Sequence, residues 1–236
     1  MPLYIVSTPI GNLSDITLRS LEILRNADII LCEDTRQSLK LLNSYEIKPD
    51  KLISFYSQIE EKKINQIILT LKENKEINIA LITDNGTPTI SDPGFKLVDA
   101  CYNNNIEVFA APGPSAFLCA LSISGFSADT FLFYGFLPRK DGKIKKVLKD
   151  LININGLIIF YESPFRVKNT LKLICDIFGK EIPVFIAREL TKKFEQKLRG
   201  KVGDLLLAIG EECKGEFVII INNYKVNRLI NDNIEN

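Results

Sequence analysis

Histidine is missing from all 236 residues of the chain. Its absence removes the Ser-His-Asp and Cys-His arrangements and every histidine-containing zinc site. Proton transfer is left to Asp, Glu, Lys, Tyr or bound water. Paired CxxC cysteines are also missing: Cys32, Cys101, Cys119, Cys175 and Cys213 are scattered and odd in number. Four of the five sit in apolar or helical patterns and read as inert core thiols in a reducing cytosol, with no metal expected. No apolar run approaches the roughly eighteen residues of a membrane span. The opening MPLYIVSTPIGN has neither the basic start nor the long apolar core of a secretory leader, so a cytoplasmic protein without a membrane partner is expected. Neither GxGxxG nor GxxxxGK[ST] occurs, which removes the dinucleotide fingerprint and the Walker lysine.

What is present is a globular composition, 46% hydrophobic and 25% charged, with a formal net charge of +1. The halves differ. Residues 1–125 carry 11 Lys and Arg against 15 Asp and Glu, whereas residues 126–236 carry 19 against 14. Such asymmetry hints at a polyanionic partner on the second half.

The chain is organised around 79–94, IALITDNGTPTISDPG. Ile79-Ala80-Leu81-Ile82 reads as a strand buried on both faces. It breaks at Asp84-Asn85-Gly86-Thr87-Pro88 and again at Asp92-Pro93-Gly94, and helical spacing resumes at Phe95, Leu97, Val98 and Cys101. The same pattern occurs twice more. Leu3–Ser7 is a strand broken at residues 8–12, with Ser14 or Asp15 as cap of a helix striped by Leu18, Leu21 and Leu24. Ile106–Phe109 is a strand that runs into Ala111-Pro112-Gly113-Pro114-Ser115 and then helix Ala116–Ser124. Strand Asp28–Cys32, ending on Glu33-Asp34-Thr35-Arg36, helix Gln37–Tyr45, strand Leu52–Phe55 and helix Glu60–Lys75 complete a βα array. In open α/β sheets ligands bind outside the carboxyl ends of the strands. Ordinary βα turns and a solvated helix N-terminus at 33–36 are the plain alternatives. The loops offer carbonyls, hydroxyls and the Asp84 carboxylate, which suit a ligand carrying positive charge and an amino group.

The pattern changes near Gly125. An aromatic strand, Phe131–Phe136, precedes a basic run, 139–149, with six positive charges and one negative. Ile144, Val147, Leu148 and Leu151 give that run an apolar face, so it is a solvated amphipathic helix or else a flexible arm contacting phosphates. Strand Leu157–Tyr161, helix Pro164–Phe178, strands Val184–Ala187 and Phe194–Arg199, a helix over 202–212 and strand Glu216–Asn222 follow. The expected division is an α/β domain over 1–124, a second over 125–224 and a frayed polar tail over 225–236.

Eight strings run in order along nearly the whole chain: TPIGNLSDIT, CEDTR, TDNGTPTISDPG, PGPSA, GFLPRK, FYESPFR, ARELTK and KGEFVIII. Together they resemble the tetrapyrrole methylase superfamily, and more narrowly its bacterial members that 2′-O-methylate a cytidine of 16S ribosomal RNA. The resemblance implies the two-domain fold of that family: an N-terminal parallel βα sheet, a C-terminal mixed α/β sheet, and S-adenosylmethionine in the cleft between them. It also implies a homodimer acting on 16S RNA or the 30S subunit. Matched residue by residue, it points to Ile10 and Gly11, to Asp84, Gly86 and Thr87, and to Ser115 and Ala116 as cofactor contacts. From the second domain Tyr161, Leu190, Glu216 and Phe217 would close over the adenosine. Asn85 and Phe165 depart from the pattern, which expects a small residue and often a histidine there.

A ribose hydroxyl is a weak acid, so a nearby base should help its methylation. Glu189, Lys192 and Glu33 are the candidates, with Glu189 or Lys192 preferred, Lys192 only if desolvation lowers its pKa; an ion-paired interdomain contact is the plain alternative for those two. Arg36, Arg139 and Arg166 are assigned to phosphate or ribose positioning. Lys140, Lys143, Lys145 and Lys146 in the basic run, with Lys193, Lys197 and Arg199, would supply backbone contacts to RNA. Two rival readings stay open: a methyltransferase of the same fold acting on a tetrapyrrole, and a non-catalytic nucleotide- or ribosome-binding module.

Overall fold

The computed structural model describes residues 2–74, 76–210 and 214–224. The tail expected to fray over 225–236, and the last residues of the helices predicted to end at Lys75 and Glu212, lie outside them. The chain divides into two units, Met1–Ser115 and Ala116–Asn236. This cut falls nine residues before the boundary expected at 124/125. Helix Ala116–Ile123 goes with the second unit because it packs on that unit's strands.

In the first unit, β1 (Leu3–Val6), β2 (Ile29–Cys32), β3 (Lys51–Ser54), β4 (Ile79–Leu81) and β5 (Val108–Ala111) form one parallel sheet of order β3-β2-β4-β1-β5. β2 and β4 are buried along their whole length, as a strand covered on both faces must be. On one face Leu31, Ile79 and Leu81 pack against α3 (Glu60–Glu73) and α4 (Phe95–Asn103) through Ile67, Ile68, Leu71, Leu97 and Cys101. On the other, Val6, Ile30, Ala80 and Ile82 meet α1 (Leu18–Arg25) and α2 (Thr35–Ser44) through Leu24 and Leu42. Truncating such a fully buried Leu to Ala costs roughly 2–5 kcal/mol.

This topology fixes where a ligand can sit. β1 and β2 feed helices on one face, whereas β4, lying between them, feeds a helix on the other. The chain therefore departs in opposite directions on both sides of β4, and such a switch point opens a crevice at the carboxyl edge.

Several local expectations are corrected. Asn12 caps a single 3-10 turn, Leu13–Asp15, and Thr17 caps α1 by accepting from the Ser20 amide, so neither Ser14 nor Asp15 is the cap. Leu18, placed on the apolar stripe of α1, is 86% exposed. Strand β5 begins two residues later than expected, after the tight turn that follows α4.

In the second unit, β6 (Phe131–Phe136), β7 (Leu157–Glu162), β8 (Pro183–Arg188), β9 (Gln196–Lys201) and β10 (Phe217–Asn222) form a mixed sheet of order β6-β7-β10-β8-β9. Only β6 and β7 are parallel; the other neighbours run antiparallel. One face is covered by α6 (Asp141–Leu151), α7 (Val167–Phe178) and α8 (Val202–Ala208), and α5 (Ala116–Ile123) lies on β7 and β10. The basic run is thus a helix and not a flexible arm: Ile144, Leu148 and Leu151 are buried in the core, with the lysines outward. Helix α7 starts at Val167, three residues after Pro164, because 163–166 forms a turn of its own. β9 also begins later than predicted, at Gln196. Among the described residues no helix is long and apolar enough to cross a membrane.

Gly94 joins the long β4 loop to α4 at φ +126°, and a Cβ there would lie 2.5 Å from Leu81 Cδ2. Its amide donates to the buried Glu60 carboxylate at 3.0 Å. Gly94→Ala combines a left-handed backbone with an overpacked core and should destabilise the fold by about 3 kcal/mol. Urea denaturation checks this: the midpoint should fall with the slope unchanged.

Candidate active site

Three loops converge at the carboxyl edge of the first sheet. Residue 8, after β1, and residue 86, after β4, form an antiparallel bridge: the Thr8 amide donates to the Gly86 carbonyl at 2.8 Å and the Gly86 amide returns a bond at 3.2 Å. Gly86 turns the chain at φ +89°, and a Cβ there would press on Ile10 Cγ2 at 3.4 Å. Thr8 Oγ1 donates to the Thr83 carbonyl at 3.1 Å. The third loop joins through Thr87, whose Oγ1 donates to the Pro114 carbonyl at 3.1 Å and lies 2.9 Å from Ser7 Oγ. Thr87 has one hydroxyl proton, so Ser7 must be the donor to it. The predicted contacts Ile10, Gly86, Thr87 and Ser115 are therefore brought to one place, and the Thr87 hydroxyl is engaged in holding it together. Gly11 is exposed, whereas Ser115 is buried just after Pro114.

A group of carboxylates lies under these loops. Asp84 Oδ1 accepts from the Asp34 amide at 3.3 Å, and Thr83 Oγ1 donates to Glu33 Oε2 at 3.3 Å. Burial raises the pKa of Glu33, and the Asp84 charge adds to the effect. Burial likewise raises Asp84, against the pull of the Asp34 amide. Asp92 is pushed up to about 6, first by burial and then by the Glu33 charge. Asp92 was read in the sequence as a turn residue. The signal that could have marked it was an acid eight positions after Asp84 in a loop that had to fold back to reach α4. Thr89 and Ser91, at φ +73° and +66°, bend the backbone there; a β-branched residue in that region is strained, as functional loops often are. Among the described residues no group of His, Cys, Asp and Glu is placed to hold a metal ion. Arg36, expected to face phosphate, lies over the Asp34 carboxylate with Nη2 3.0 Å from Oδ2.

In the second unit, the ends of β6, β7 and β8 and the start of β10 fall on one edge of the sheet, since Phe136 pairs with Tyr161 and Phe217 with both Glu162 and Arg188. Four of the motif strings are thereby aligned along that edge. Lys192 Nζ is held between Glu189 Oε1 at 3.0 Å and Glu216 Oε2 at 2.8 Å. The Glu216 amide donates to Glu189 Oε1, and the Glu189 amide to the Glu216 carbonyl, both at 3.0 Å. Desolvation acts to lower the Lys192 pKa, but the bonds from Glu216 and Glu189 outweigh it and leave it raised. The condition set for Lys192 as a base is not met. Burial opposes ionisation of Glu189, yet the Lys192 hydrogen bond and the Glu216 amide bring its pKa below the usual value. Leu190 and Phe217 are buried beside this clamp, Phe217 within the core. The Tyr161 hydroxyl accepts from the Phe117 amide at 3.3 Å, one residue after Ala116 at the start of α5.

The predicted RNA contacts divide into two groups. Arg139, Lys140, Lys143, Lys145, Lys146 and Lys193 are exposed. Arg166 is engaged internally, Nη2 reaching the Leu137 and Pro138 carbonyls at 3.1 and 2.8 Å and Glu162 Oε2 at 3.3 Å. Lys197 pairs with Glu195 at 2.7 Å, and the Arg199 guanidinium lies over the Phe126 ring at 4.8 Å. Surface pairs of this kind are weak, and a phosphate can displace the carboxylate.

With this geometry in place, comparison with known proteins assigns the class. The sequence pattern of the tetrapyrrole (corrin/porphyrin) methylases matches residues 2–206. The chain belongs to that family and is a methyltransferase. It is 48% identical to the ribosomal RNA small subunit methyltransferase I of Thermotoga maritima, over 93% of this chain and 97% of that protein. It is 43% identical to the protein of the same name from Hydrogenobaculum sp., over 94% and 96%. The uroporphyrin-III C-methyltransferase of Thermus thermophilus, solved with S-adenosylhomocysteine, shares the fold at a TM-score of 0.64. The two are 15% identical, and the match covers 97% of this chain and 100% of that one.

The folded-state pKa of Asp92 lies above that of an unfolded aspartate. The group thus contributes stability that is fully present below about pH 4 and is lost as pH rises through about 6. Asp92→Asn should be more stable than the parent at pH 8 by about 1–2 kcal/mol, after allowance for the solvent that reaches the group. Thermal melts should show a gain of a few degrees at pH 8 that vanishes by pH 4.

Proposed function

We propose that this methyltransferase transfers a methyl group from S-adenosylmethionine to the ribose 2′-hydroxyl of a cytidine in small-subunit ribosomal RNA. The observation that carries the cofactor assignment is the group Glu33, Asp84 and Asp92. These half-buried carboxylates sit at a topological switch point, and the charges raising their pKa values are one another's and that of Asp34. Such a site gains by receiving a cation, and the cofactor bears a sulfonium and an ammonium. Gly86, its neighbour Ile10 and the Pro114 carbonyl form a close-fitting wall on which an uncharged part of the ligand can lie. Relatives named for the small ribosomal subunit, over nearly their full length, support the RNA substrate.

When bound, the cofactor supplies an activated methyl group. That methyl group would be accepted by the ribose O2′, and this chain's residues would orient the hydroxyl and receive its proton. Of the three bases considered, Glu33 is the one that its surroundings make more basic. Glu189 is made less basic, and Lys192 is held charged. We therefore assign the proton to Glu33 in place of the preferred Glu189 or Lys192, whose mutual ion pair with Glu216 instead fits a clamp that positions the loops at the edge of the second sheet. The proposal includes a homodimer, for which the uncovered edge strand β5, with Phe109 exposed, offers apolar surface; light scattering should give twice 26.7 kDa.

Titration calorimetry should show S-adenosylmethionine binding that weakens at least about tenfold in Asp84→Asn, the loss of one charged contact. Glu33→Gln should weaken cofactor binding, as loss of one of the three carboxylates requires, and should also lose on the order of a hundredfold or more in turnover at saturating cofactor. Ribosomal RNA from cells lacking the gene should miss one 2′-O-methyl mark, restored by the intact gene and not by Asp84→Ala. Transfer of label to a tetrapyrrole alone would refute the assignment.

A further inference from the structure

The ring of Phe165 is 96% exposed, more than any other large apolar side chain among the described residues. It does not hang from a loose loop. The Arg166 and Val167 amides both donate to the Ser163 carbonyl at 3.1 Å, closing a tight turn around it. Beneath that turn the buried Glu162 carboxylate accepts from the Ser163 amide at 2.8 Å and from Thr170 Oγ1 at 2.6 Å, and pairs with Arg166 at 3.3 Å. The same guanidinium grips the Leu137 and Pro138 carbonyls and so fixes the segment that carries the exposed Arg139 and Lys140 beside the turn. Parallel pairing of β6 with β7 brings both segments to one edge, where Phe136 is also 56% exposed.

An apolar ring standing in water on a hydrogen-bonded turn gains from being covered, and an aromatic ring whose turn is tied to a segment bearing two cations matches one chemistry closely. A nucleobase covers the ring while its neighbouring phosphates meet the cations, and unpaired bases are bound in this way on single-stranded platforms. We propose that Phe165 is a stacking platform for an unpaired base of the RNA substrate, with Arg139 and Lys140 on the adjoining phosphates. This rests on the RNA reading above and deepens it: the substrate is held as a locally single strand, gripped at the edge of the second sheet. Arg166, in place of a phosphate contact, is the residue that positions the platform.

The chain contains no tryptophan, so Phe165→Trp introduces a single indole as a reporter. Oligocytidylate and 30S subunits should quench its emission, and a double-stranded RNA of equal charge should not. Phe165→Ala should weaken oligocytidylate binding about tenfold while leaving the salt slope and cofactor affinity unchanged, and Phe165→Tyr should restore it. Replacing Arg139 and Lys140 by alanine should instead lower the slope by about 1.4, two phosphates' worth for a single strand. The proposal is overturned if labelled RNA saturates the protein without changing the indole emission, or if Phe165→Ala binds RNA as the parent does. It is also overturned if Phe165→Ala impairs only docking to the assembled particle, which would make the ring a contact for ribosomal protein. A parent protein that binds neither RNA nor 30S particles is a different result, since it removes the RNA reading itself.

Discussion

Two backbone hydrogen bonds between residues 8 and 86 hold the first unit's edge in its working shape. Strands β1 and β4 are neighbours, but their loops leave toward helices on opposite faces and would splay apart without a tie. The bridge at Thr8 and Gly86 supplies one where the sheet ends. The hydroxyls of Ser7 and Thr87 extend it to Pro114 in the third loop. Ser7 donates to Thr87 and Thr87 to the Pro114 backbone, which is why a segment so rich in glycine and proline holds one conformation.

The two units present edges of opposite character. In the first, carboxylates lie partly out of water with raised pKa values, so the edge is poor in solvation and rich in negative charge. In the second, the central clamp sets one lysine against two glutamates, so its net charge is small. The cationic character comes instead from Arg139 and Lys140 and from the outer face of α6. The excess of acid in one half of the sequence and base in the other thus has a local meaning.

The parallel array was legible because β2 and β4 are unbroken apolar runs between Gly/Pro loops, and burial on both faces demands that pattern. Strand β5 was placed two residues early because Ile106 continues the apolar pattern, yet its amide closes the turn after α4 by donating to the Cys101 carbonyl. Leu18 counted toward the stripe of α1 by spacing alone, but it stands at the first turn, beyond the sheet that Leu24 reaches. The site was legible as motifs and less so as chemistry. Sequence gives no measure of desolvation, so Asp92 passed for a turn residue and Lys192 for a possible base. Arg166 looked like an RNA contact because nothing in the string FYESPFR reveals that its side chain turns inward to the carbonyls of residues 137 and 138.

Strand β1 lies in the interior of its sheet, with Leu3 paired to Ile79 on one side and to Val108 on the other. Strand β1 therefore gains its first neighbour only when β4 has been made and its second only when β5 has. Its pairings span about half the chain, so the sheet of the first unit cannot be completed before β5 is available. Completion of this unit thus depends on how long translation takes to read past residue 111.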